Sequence, residues 1–199
     1  MIDSIIFPTN NSYGIPALNP AYMATNLIAP FTTWGSISRA ARMPGTWHFY
    51  TDDYRFNGLL KNPDQLIKTA AVAAIEPNIT IPPGLPPALA LARIYQKRWI
   101  ARYWQNAGIM VWVDLNVSAE FLDVNLLGVP PGWLSFATRG YNANLDQIEA
   151  EYQAARAVAG SDDLNFLVYG GGAAVQSLAI AHGWQWQPER ADRVRAANE

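Results

Sequence analysis

Five short β-favouring runs punctuate this chain, each stops on polar residues, and helical patterns fill most of the intervals between them. The runs are Thr46 to Asp53 (TWHFYTDD), Ala71 to Ile75, Ile109 to Leu115 (IMVWVDL), Gly132 to Thr138 (GWLSFAT) and Asn165 to Tyr169 (NFLVY). IMVWVDL constrains the most: it is almost continuously apolar and so needs cover on both faces, as strands inside a parallel sheet have. A long helix is predicted from Pro86 to Asn106, opened by Pro86-Pro87 and closed by Gly108. A short helix from Pro63 to Lys68 has Asn62 as its cap. Leu145 to Val158 carries Asp146, Glu149 and Glu151 early and Arg156 late, as the helix dipole favours, and Ala173 to His182 ends at Gly183.

Strand and helix in alternation predict an α/β fold with a mainly parallel sheet of about five strands. A closed barrel takes eight strands and typically ~250 residues. The 199 residues here therefore predict an open or incomplete barrel-like sheet in a single domain. Five prolines in residues 1–45 predict an irregular arm wrapped on the body, and the polar residues from 187 onward a frayed tail.

With no Cys and only His48 and His182, thiolate or multi-histidine metal sites, disulfides and a cysteine nucleophile are excluded. No dedicated metal site or cofactor is expected; a metal such as Mg²⁺ would have to sit on oxygens. No apolar run approaches the ~20 residues of a membrane span. The amino end, with Asp3 and no basic segment, does not read as a signal peptide, so a cytoplasmic location is expected without a membrane partner. Nothing in the sequence sets the oligomeric state.

Ligands of parallel α/β sheets bind beyond the carboxyl ends of the strands. There the sequence places Asp52, Asp53, Glu76, Asp114 and Arg139, with Gly170, Gly171 and Gly172 opening a helix. Carboxylates on one rim could hold Mg²⁺ or work as an acid and base pair in a hydrolase acting on a phosphoester or glycosidic bond. Asp and Asn also cap helices and close turns after strands. The glycine turn suits an anion at a helix amino terminus but lacks the dinucleotide and phosphate-loop spacings. Arg55, three residues beyond Asp52, can fold over the same rim.

The net charge of −2 hides an uneven distribution. From Pro77 to Val113 there is no acid, yet Arg93, Lys97, Arg98 and Arg102 occur, and on a helical projection they share one face opposite Leu89, Ala92, Tyr95, Trp99, Ile100 and Tyr103. Phosphates of a nucleic acid or nucleotide could neutralise that face, with Trp104 beside it to stack. The chain's own acidic second half could equally do so.

Three stretches, TWHFYTDDYRF at 46–56, PPALALARIYQKRWIARYWQNAGIMVW at 86–112 and GVPPGWLSFATRGY at 128–141, resemble in order and spacing the domain of unknown function family 4417. The resemblance covers nearly the whole chain and implies a bacterial, archaeal or phage protein of mobile-element type, with no established activity to carry over. By similarity Asp52, Asp53, Arg55, Arg98, Trp99, Tyr103, Trp104, Gln105 and Gly140 match the recurrent pattern. The chain departs from it at Asp114-Leu115-Asn116 and in having no Cys before Gly128, which argues against thiol chemistry. Three functions are therefore expected in order: binding of nucleic acid or a nucleotide through the cationic helix face, a carboxylate-dependent hydrolase, or a non-catalytic assembly protein. Eight Trp and nine Tyr suggest the third.

Overall fold

A computed structural model describes residues 6–38 and 41–189. Asp3 and the first five residues, and the tail from 190 to 199, lie outside the described residues. Seven strands form one sheet: β1 (Phe31–Thr33), β2 (Thr46–His48), β3 (Ala73–Ile75), β4 (Met110–Asp114), β5 (Ser135–Arg139), β6 (Asn165–Tyr169) and β7 (Gln185–Gln187). Every neighbouring pair is parallel, and spatial order follows chain order. Six α-helices accompany them among the described residues: α1 (Asn57–Lys61), α2 (Asp64–Ile67), α3 (Pro87–Asn106), α4 (Leu122–Asn125), α5 (Leu145–Ala159) and α6 (Gly172–His182). The expected α/β class and incomplete barrel hold, but the strand count rises from five to seven. Gln187 belongs to β7 rather than to a frayed tail, and β1 lies inside the Pro-rich segment.

Sequential parallel order requires each crossover to pass on the same side of the sheet, which curls it. Alternation along β2 directs Trp47 and then Phe49 outward into a core shared with Leu59, Leu66, Trp99 and Trp104, while Thr46, His48 and Tyr50 face inward. Inside the curl, the His48 ring stacks on Phe31 at 4.3 Å and meets Tyr169 at 4.4 Å, and Phe31 itself lies 5.9 Å from Tyr169. Phe31 and Tyr169 belong to β1 and β6, so aromatic contact spans the concave side and the sheet forms a half-barrel. The amino-terminal segment plugs its lower end, where β4 and β5 pair only from Val113 and Phe136 upward. Below that point the Ala24 N–H donates to the Val111 carbonyl at 3.0 Å, and Ser135 Oγ donates to the Ala24 carbonyl.

No helix among the described residues is long and apolar enough to cross a membrane. Six of the eight Trp are less than 2% exposed, so these rings fill the core rather than an interface.

Candidate functional site

Sequential parallel order brings all strand carboxyl ends to one rim. Two layers occupy it. The lower layer is buried and charged. At the end of β4, Asp114 Oδ2 accepts from Lys97 Nζ at 2.9 Å, and the same ammonium reaches the Asp114 carbonyl at 2.8 Å. Just past β3, Glu76 Oε1 accepts from Arg98 Nη1, while its Oε2 accepts the Asp114 N–H at 3.2 Å. The rest of the Arg98 guanidinium donates to the carbonyls of Leu127 at 3.1 Å and Asn125 at 2.6 Å. All four charged side chains have 0% exposure.

This geometry corrects the cationic face expected of α3. Lys97 and Arg98 are buried along with Ala90, Ile94, Ala101 and Gln105 and with Trp99 and Ile100 of the expected core face, whereas Leu89 of that face is 52% exposed. Lys97 and Arg98 face internal carboxylates and are closed to phosphate. Arg93 donates to the Thr80 carbonyl, and Arg102 reaches Asn106 and lies 5.2 Å over the Phe7 ring. Trp104 is also closed to a base, because its ring stacks on Phe49 at 5.5 Å and its Nε1 donates to the Pro63 carbonyl at 3.0 Å.

Burial lowers the pKa of Arg98 against the opposing pull of Glu76, and raises that of Asp114 against Lys97. A third carboxyl, Glu151 on α5, is 2% exposed. Burial pushes it up to about 8, even though Thr138 Oγ1 at 2.5 Å and Gln147 Nε2 at 3.0 Å bond to it and Lys97 attracts it. Tyr50, beneath the rim, has its pKa raised by burial and by nearby Asp114, and its hydroxyl makes no hydrogen bond of ordinary geometry.

The upper layer is an open cleft of about 720 Å³. Its floor and walls include Asn78, Asn116, Gln147, Tyr54, Arg139 and Tyr141, and Asp52 and Asp53 form one lip. Asn116 Nδ2 donates to Asn78 Oδ1 at 3.0 Å. Asp53 is tied to Thr80 through its N–H at 3.2 Å and its Oγ1 at 2.8 Å. Arg55 pairs with the exposed Asp52 at 3.9 Å and stands 5.6 Å over the Tyr54 ring. On the opposite lip Arg139 lies 5.3 Å over Tyr141 and 3.5 Å from Glu189.

The four strand-end acids therefore separate into a buried pair, Glu76 and Asp114, and a lip pair, Asp52 and Asp53. No group of three or more His, Cys, Asp or Glu among the described residues could hold a metal ion. Gly170, Gly171 and Gly172 all have positive φ, of 73°, 88° and 74°. A Cβ on Gly171 would sit 2.5 Å from Val175 Cγ2 and 2.8 Å from the Gly140 carbonyl carbon, so close packing already demands glycine there. Sequence reasoning did not single out Tyr54, Gln147, Glu151 or Glu189. For Glu151 a signal exists, because it shares a helical stripe with Ile148 and Ala155.

The family described as Domain of unknown function (DUF4417) matches residues 7–147. The Gene 1 protein of Mycobacterium phage D29 is 36% identical over 111 residues, which is 53% of this chain and 40% of that protein. The Gene 1 protein of Mycobacterium phage L5 is 32% identical over 107 residues, 53% of this chain and 47% of that protein. The chain thus spans less than half the length of these curated relatives. No solved structure matches.

Proposed function

We propose for this chain, which belongs to the DUF4417 family, that the mouth of its half-barrel binds a nucleotide, free or at the end of a single strand. The observation that carries this reading is the Arg139–Tyr141 unit together with the Tyr54 ring, all lining a cleft that also holds the carboxamides of Asn78, Asn116 and Gln147, with Arg55 standing over Tyr54 just outside that lining. The Tyr54 and Tyr141 rings are 67% and 42% exposed and offer faces on which a base can stack. A guanidinium beside each suits a phosphate, and the Asn78 and Asn116 amides carry both donors and acceptors for base edges. The volume lies within the roughly 300–1,000 Å³ of small-molecule sites. Mg²⁺ arriving on the phosphates would meet the oxygens of Asp52 and Asp53. Such a ligand suits a protein working in the cytoplasm.

The exposed side of α3 supports nucleic-acid binding less well, since two of its four cations are buried against carboxylates. A carboxylate-dependent hydrolase would need acids facing one another across the cleft, whereas Glu76 and Asp114 lie sealed below it. The binding reading is tested by calorimetry with nucleoside monophosphates and with 5′-phosphorylated single-stranded oligonucleotides at several salt concentrations. Arg139→Gln and Tyr141→Ala are each expected to weaken binding about tenfold or more, and Arg102→Gln to change it less than about threefold. Absence of binding at low salt, or greater sensitivity to Arg102 than to Arg139, contradicts the reading.

A further inference from the structure

We propose that the Glu189 carboxylate occupies the phosphate subsite of this mouth and competes with the ligand for Arg139. The inference rests on the nucleotide reading and adds to it where the phosphate sits and what must leave. Beyond β7 the chain is held to the glycine turn on both sides: the Gly170 N–H donates to the Gln187 carbonyl at 2.8 Å, and Trp186 Nε1 donates to the Gly170 carbonyl at 2.9 Å. Two residues later the Glu189 side chain folds back over that turn. A Cβ built on Gly170 would meet Glu189 Cδ at 3.2 Å, so the carboxyl group lies against the glycine face. Glu189 Oε2 then stands 3.5 Å from Arg139 Nη2, on the cation that lines the cleft.

Two features mark this as an anion position. Arg139 meets the carboxylate through Nη2 at 3.5 Å, and its guanidinium fork carries a pair of donors suited to two phosphate oxygens. The turn opens α6 at Gly172, and a helix amino terminus favours negative charge within its first turn. The seated carboxylate is an anion already placed there by the chain itself. Its hold is loose. Arg139 and Glu189 side chains are 29% and 31% exposed, and a partly exposed ion pair contributes little and yields to a better anion. Gly170 leaves that face open, so a phosphate replacing the carboxylate would meet no side chain from the turn.

The test uses the full chain at low salt with adenosine 5′-monophosphate, and with neutral adenosine as the reference probe. Glu189→Gln is expected to bind the monophosphate about two- to fivefold tighter than the natural protein and to bind adenosine unchanged. Arg139→Gln in the same background is expected to erase that gain, and Glu189→Ala to reproduce it. Equal affinity of Glu189→Gln and the natural protein, with Arg139→Gln still weakening both, overturns the competitor while leaving the nucleotide site standing. An equal gain for adenosine overturns it as well, since the phosphate would not be what Glu189 excludes. If neither protein binds the monophosphate, the nucleotide reading falls and the competitor with it.

Discussion

Arg98→Ala is expected to destabilise the protein by about 3–5 kcal/mol, because it leaves the Glu76 carboxylate buried without its cation. Arg98 has 0% exposure, pairs with Glu76 and donates to the carbonyls of Leu127 and Asn125, so one side chain ties the end of β3 to the segment around α4. Truncation strands several partners at once, and each orphaned buried group adds its own desolvation cost. Denaturant melts measure the effect, with Arg102→Ala as the matched control on the same helix, expected within about 1 kcal/mol. Removing both charges, as in Arg98→Met with Glu76→Leu, should recover only the part of the loss that comes from the uncompensated Glu76 charge, since the Leu127 and Asn125 carbonyls and the Asp114 N–H stay unpaired. A midpoint for Arg98→Ala like that of the control would show that the pair is not closed off from water.

Glu151→Gln is expected to change how stability depends on pH. Burial raises this carboxyl from 4.5 to about 8, so between those values the folded protein holds a proton that the unfolded chain releases. The resulting stabilisation is fully present below about pH 4.5 and is lost as pH rises through 8. At pH 5 the natural protein and Glu151→Gln should be similarly stable. By pH 9 the variant should be more stable by a few kcal/mol, since its amide keeps the bonds to Thr138 and Gln147 without a buried charge. Asp114, also raised by burial, repels Glu151, so the difference between the two proteins reads Glu151 together with its coupling to Asp114. Parallel stability curves from pH 5 to 9 would mean that Glu151 is ionised and compensated throughout.

What the sequence reveals of the fold follows how sharply each element is bounded. NFLVY stands between polar residues and three glycines, and β6 occupies those five residues. Pro86-Pro87 and Gly108 likewise delimit α3. The two edge strands had no such marks: FTT of β1 follows a proline in an irregular stretch, and QWQ of β7 is polar at two of its three positions. The half-barrel follows from strand-helix alternation with every neighbouring pair parallel and in chain order.

The site was legible as a rim but not as chemistry. Strand ends at Asp52-Asp53, Asp114 and Arg139 do share one end of the sheet, because all strands run parallel. Which of them face solvent depends on partners distant in sequence. Lys97 and Arg98 look like surface residues on a helical projection, since burial of a cation is tolerated only with a partner and the projection cannot show Asp114 or Glu76. The reading of α3 therefore inverted at those two positions.

The most direct measurement of the central claim is an amide ¹H–¹⁵N spectrum of the labelled protein titrated with adenosine 5′-monophosphate. Binding at the half-barrel mouth predicts saturable shifts concentrated at Asn78, Asn116, Gly140, Tyr141 and Gly170, around the carboxyl ends of β3 to β6. Shifts confined to the exposed side of α3 around Ala92, Gln96 and Arg102, or no saturable shift at millimolar ligand, would contradict it.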